Sequence, residues 1–168
     1  MGRRDAGSLD LELLYRQHGA ALLLFALAMA GERSRAQDAV HEVFLKLLEH
    51  GDLSRASDQK AYLFGCVRNA VLDDRKRQDR NKPLDGSAWF SPPNRDCAAE
   101  QNLRLALAAL PDDQRQVVVL HVWGELTFAQ IADLLEISSN TAASRYRYAL
   151  SKLREWMLPR ENSCAGSR

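Results

Sequence analysis

Asn140, Ser144, Arg147 and Ser151 recur at steps of three and four residues near the C-terminal end of the chain, with Arg145 and Lys152 alongside. On a helix they would form one polar face. Such a face recognises rather than makes or breaks bonds. Short amide and hydroxyl groups near a helix start reach base edges, and guanidinium groups behind them reach phosphates. Local charge agrees. Residues 139–160 hold five basic side chains against Glu155 alone, a net +4, whereas 109–138 hold five acidic ones against Arg115, a net −4. The whole-chain charge of +1 therefore hides a polarised C-terminal half. A bland alternative is a packed helical hairpin with a solvated basic face.

The elements that must hold this face are written nearby. In "TFAQIADLLEISSNTAASRYRYALSKL" (127–153), Thr127 caps a helix running to Leu135, and a second begins after Ser138 and continues to about Leu158, before Pro159. Ala142, Tyr146, Ala149/Leu150, Leu153 and Trp156/Met157 give the second helix an inward stripe. The corner reads Leu135-Glu136-Ile137, where a left-handed turn favours glycine. If the turn takes that form, Glu136 carries positive φ at a cost of about 1 kcal/mol. Upstream, Asp112 or Asp113 is expected to cap a helix through Trp123 that Gly124 ends.

The remainder is all-α in pattern. The 168 residues are 46% apolar and 27% charged, a globular composition without long alternating β-branched runs. Helical periodicity runs from Asp10 to Gln78, with breaks near Gly31 and Gly51 and a polar loop at 51–58. Gly65 inside the third helical segment is expected to permit a close helix crossing. Residues 79–97, with three of the five prolines, read as a flexible linker. Two small helical domains follow, 9–78 and 98–158, the second a helix-turn-helix. The apolar run 19–30, ending Ala28-Met29-Ala30, is weighed as an export signal. Asp5, Asp10 and Glu12 in its leader and the amphipathic stretch before it favour a buried helix. Three scattered cysteines and four histidines without ligand spacing imply no disulfide scaffold, no metal and a cytoplasmic setting. No nucleophile triad, paired carboxylates or phosphate loop points to an enzyme, and no cofactor is expected.

Two separated stretches carry a family likeness. Leu110-Pro111, "QVVVLHVW" and "QIADLLEISSNTAASRYRYALSKL" resemble the promoter-reading region of extracytoplasmic-function (ECF) sigma factors of bacterial RNA polymerase, within the sigma-70 family. The resemblance implies minus-thirty-five contacts from Ser139, Asn140, Thr141, Ser144, Arg145 and Arg147. "RAQDAVHEVFLKLL" is similar to the segment that grips the polymerase core, which implies core-binding roles for Asp38, His41, Glu42, Phe44 and Leu45. "AYLFGCVRNAVLDDRKR" is similar to the helix that recognises and opens the minus-ten element. That match implies Arg68, Asn69, Asp73, Arg75, Lys76 and Arg77, with Leu53, Ser54 and Arg55 of the preceding loop at a flipped-base pocket. Glu136 and Asn140 replace family glycines, and Ala143 replaces a lysine.

The function implied is promoter selection and opening for the polymerase core, with promoter DNA and core enzyme as partners, an anti-sigma factor as a further candidate, and no membrane insertion. Two rivals remain: an autonomous helix-turn-helix regulator, and a helical adaptor with no DNA role. Tight binding to DNA without polymerase marks the first, and indifference to loss of Arg145 and Arg147 marks the second.

Overall fold

The computed structural model describes residues 4–50, 53, 56–79 and 98–157, and among these every regular element is helical. There are seven: α1 (Arg4–Ala30), α2 (Arg33–His50), α3 (Gln59–Asp79), α4 (Ala98–Ala108), α5 (Asp112–Val122), α6 (Phe128–Leu135) and α7 (Ser139–Met157). Most of the expected linker, along with Ser54 and Arg55, lies outside the described residues.

The first three helices form one group. Over Leu11–Ala30, α1 is long and apolar enough to cross a membrane by length and composition, so its apolar run is longer than the 19–30 segment suggests. Its side chains go into the core instead: Leu22, Phe25 and every residue from Ala26 to Ala30 are buried. Gly31 ends the helix at φ 75, and its N–H donates to the Leu27 carbonyl at 2.9 Å, a left-handed cap that a side chain would burden. α2 contributes Ala36, Val40, Val43, Phe44 and Leu47 at helical spacing. α3 starts from Asp58, whose carboxylate accepts the Ala61 N–H at 2.9 Å, and it buries Leu63, Phe64, Val67 and Val71. Phe25 and Phe64 meet edge to face at 5.6 Å, as do Tyr15 and Phe44 at 5.0 Å. Each of the buried phenylalanines contributes about 1.5–3 kcal/mol, whereas Tyr15 stays partly exposed.

Gly65 plays no part in a crossing. A Cβ there would meet nothing within 4 Å. The tight glycine is Gly124, where a Cβ would lie 2.5 Å from the Leu120 carbonyl oxygen and 3.1 Å from Phe64 Cζ. Gly124 thus lets the end of α5 approach α3.

That approach belongs to a wider contact. Val117, Val119, Leu120, Leu126, Ile131 and Ala142 share one buried cluster with α1–α3. The two helical groups rest on each other, with α5 against α1 and α6 against α3. Arg115 fastens the seam. Its guanidinium donates to the carbonyls of Leu107 (2.9 Å), Ala108 (3.0 Å) and Leu110 (2.8 Å) at the end of α4, and to Ala28 (3.3 Å) at the end of α1. A cation there also meets the negative ends of two helix dipoles.

Candidate nucleic-acid interface

The helix-turn-helix is built from α6 and α7 over α5. Thr127 and Gln130 make a full capping box at the start of α6: the Gln130 N–H donates to the Thr127 hydroxyl at 3.3 Å, and the Thr127 N–H to Gln130 Oε1 at 2.8 Å. Glu136 ends the helix in the left-handed region, φ 59 and ψ 44, so the turn is of the kind that ordinarily takes glycine. Ser138 caps α7 through the Thr141 N–H at 3.0 Å. α5 departs from expectation at its start. Pro111 occupies the cap without a side-chain hydrogen bond, and Asp112 and Asp113 lie in the first turn. Proline needs no donor there, and the two acids complement the positive end of the dipole.

Inside the corner lies a cluster that composition gave no reason to expect. His121 stacks on Phe128 at 4.5 Å and meets Tyr146 edge-on at 4.7 Å, while its Nδ1–H donates to the Leu126 carbonyl at 2.8 Å. This aromatic wedge fixes the angle between α6 and α7.

Ala142, Ala149 and Leu153 of α7 are buried, and Asn140, Arg147 and Ser151 on the opposite side are exposed. Ser144 lies on that same line, half-buried, with its hydroxyl 3.4 Å from an Arg147 nitrogen. Three of the six residues expected at the minus-thirty-five element thus share the outward line: Asn140, Ser144 and Arg147. Ser139 is exposed at the helix start. Thr141 is drawn into the cap, its hydroxyl 2.8 Å from that of Ser138. Arg145 turns sideways and pairs with Asp113 of α5 at 3.1 Å. Tyr148, 65% exposed beside the line, was not singled out in the sequence. A lone tyrosine in an amphipathic pattern reads as core, which is why it escapes notice.

In α2, Asp38, His41 and Leu45 form an exposed stripe, and Glu42 joins it while pairing with Lys46. Phe44 faces the other way, buried against Tyr15. Leu48 and Leu13 add exposed apolar surface nearby.

α3 divides its expected site residues. Asn69, Asp73, Lys76 and Arg77 are exposed, with Tyr62 on the same side. Arg75 donates to the Met29 carbonyl at 2.6 Å, and so helps close the end of α1. Arg68 is only 19% exposed and lies 3.5 Å from the Glu136 carboxylate across the seam. Leu53 packs onto the core. Cys66 is half-buried, and burial pushes its thiol up from the usual range, which leaves little thiolate. Among the described residues no cluster of His, Cys, Asp or Glu is suited to a metal ion.

Comparison with known proteins decides the lineage. The sigma-70 region 2 model matches residues 14–81, and the sigma-70 region 4 model matches residues 100–153. The ECF RNA polymerase sigma factor SigL of Mycobacterium tuberculosis is 30% identical, covering 91% of this chain and 92% of that protein. The chain belongs to the ECF sigma factors. EcfG of Rhodopseudomonas palustris is 32% identical over 79% of this sigma factor and 77% of its own length. Among solved structures, sigma factor RpoE of Bartonella quintana, crystallised with the anti-sigma factor NepR, is similar at a TM-score of 0.69 and 25% identity, covering 88% of this chain and 96% of that one. CnrH in complex with the cytosolic domain of CnrY shares the fold at a TM-score of 0.57. As a sigma factor, the protein directs RNA polymerase to specific promoters for transcription initiation, a binding task.

Proposed function

We propose that residues 98–158 read the minus-thirty-five element through the outward line of α7, with Asn140 and Ser144 toward base edges and Arg147 toward phosphate or a guanine edge. The observation that carries this reading is the alignment of Asn140, Ser144, Arg147 and Ser151 opposite the buried stripe. Residues 9–78 take the other tasks. The stripe Asp38, His41, Glu42 and Leu45 docks on the polymerase core, and the exposed side of α3 (Asn69, Asp73, Lys76 and Arg77, with Arg68) holds the opened minus-ten strand. An extruded base loses pairing and stacking worth a few kcal/mol, which an amide such as Asn69 offsets by donating and accepting at once.

Each surface offers only a handful of cations, and the phosphate contacts they make are salt-sensitive. Mounted together on the polymerase, the two become effective through their high mutual concentration. On this reading the protein works in the cytoplasm beside its polymerase and has no catalytic step of its own. An anti-sigma factor is a fitting further partner, because the similar RpoE structure is a complex with the anti-sigma factor NepR.

In vitro transcription with purified core on genomic promoter fragments tests the reading. Added initiation that is lost in Arg147→Ala is the expected result. Tight specific DNA binding by the free chain, with no initiation from core, would instead favour the autonomous regulator.

A further inference from the structure

Two residues other than glycine have positive φ among the described residues, and both are glutamates: Glu125 at φ 52 and Glu136 at φ 59. They flank α6, one before its cap and one after its last turn. Side chains are disfavoured in this conformation, and glycine would relieve both places. Each glutamate faces a cation of α3. The Glu125 carboxylate lies 3.9 Å from Lys60 Nζ, which also donates to the Glu125 carbonyl at 3.2 Å. The Glu136 carboxylate lies 3.5 Å from Arg68. Near the start of α6, Gln130 Nε2 donates to the Asp58 carboxylate that caps α3. α6 is thus stapled to α3 at both ends and near one of them by a third bond.

We propose that α6 is an intramolecular clasp, with Glu125 and Glu136 acting as stand-ins for nucleic-acid phosphates on Lys60 and Arg68. While the clasp is closed, Arg68 is withheld from DNA. The α7 face stays open, because α3 meets α6 rather than the outward line of α7. The masking rests on α3 being the minus-ten surface; the clasp itself does not. Exposed ion pairs are weak and are screened by salt. Such a clasp therefore biases the free protein without locking it, and real phosphates or the polymerase displace it. The fraction of open molecules scales the apparent affinity for single-stranded DNA.

The test uses the full chain with Cys66, Cys97 and Cys164 changed to serine and a fluorescent mixed-sequence single-stranded oligonucleotide as probe. Glu125→Gln with Glu136→Gln keeps side-chain size and backbone shape while removing both charges. It should tighten oligonucleotide binding by roughly threefold to tenfold at low salt. A second chain carries Asp58→Cys and Gln130→Cys, whose native side chains meet across the seam. Bridged by a short bis-maleimide, it should lose oligonucleotide binding and should no longer respond to the glutamine substitutions. A bridged chain that binds as well as the unbridged one overturns the masking, as does a charge-neutralised chain with unchanged affinity. Lys76→Ala with Arg77→Ala separates the two readings. If it weakens oligonucleotide binding while the bridge has no effect, α3 remains the DNA surface and only the masking falls.

Discussion

The two surfaces proposed to face DNA are prepared differently. On α7 the proposed readers Asn140 and Arg147 are exposed and Ser144 is half-buried, while their neighbours Thr141 and Arg145 are spent on holding the scaffold. On α3 two of the arginines are already engaged, half-buried Arg68 by Glu136 and exposed Arg75 by the Met29 carbonyl. On the proposed reading, one surface is ready on folding and the other is partly held in reserve. A promoter's minus-thirty-five duplex exists before the polymerase arrives, whereas the minus-ten single strand exists only after opening. The order in which the surfaces become available matches the order in which their ligands exist.

The largest effect expected concerns the seam that sets this contrast. Arg115 is 11% exposed and satisfies four carbonyls, so Arg115→Ala should cost about 3 kcal/mol, since hydrogen bonds to charged groups are worth about 1.5–3 kcal/mol each and the orphaned carbonyls regain some water. Thermal unfolding should drop by about 10 °C; an unchanged melting temperature would show that the seam does not depend on it. Next comes the reader itself. Arg147→Ala should lower initiation at minus-thirty-five-dependent promoters about tenfold or more, with core binding intact. Arg145→Ala should do clearly less, because that guanidinium already faces Asp113. Equal losses in a promoter assay would put both arginines on DNA and erase the distinction between reader and support.

A smaller effect belongs to the corner. Glu136→Gly should raise the melting temperature slightly, with relief of left-handed strain of up to about 1 kcal/mol set against loss of an exposed ion pair. A clear fall would mean that the Arg68 contact outweighs the strain. The smallest is a pH effect at His18, on the same side of the seam. Burial, followed by the nearby Lys60, pushes its imidazole below the ordinary value of 6.5, against the opposing pull of Glu125 and Asp58. The folded state then holds its proton less tightly than the unfolded chain. Stability should decline as pH falls through about 6.5 and stop declining below the lowered folded value. His18→Gln should flatten that part of a melting-temperature profile.

Much of this was legible in the residues. Thr127, Glu136 and the stripe from Ala142 to Leu153 declare the helix-turn-helix, because caps, left-handed corners and 3.6-residue periodicity are local properties. What escaped is long-range. Nothing local distinguishes Gly65, which faces open space, from Gly124, which Phe64 crowds. Phe44 and Leu45 are adjacent in sequence, and only packing decides that the first is core and the second surface. Arg115 reads as one stray positive charge in an acidic stretch until α1 and α4 bring their carbonyls to it. Glu125 gave no turn signal, yet it takes φ 52 between the end of α5 and the cap of α6.

Arg115 also has a temporal consequence. Its acceptor on α1, the Ala28 carbonyl, was synthesised 87 residues earlier. As the chain leaves a ribosome, the N-terminal trio can assemble from local contacts alone, but the later half reaches its final anchorage only on a predecessor already in place. A nascent molecule that stalls before residue 115 would therefore carry a finished first half whose landing site for α5 is still bare, a natural point for chaperones or proteases to judge it.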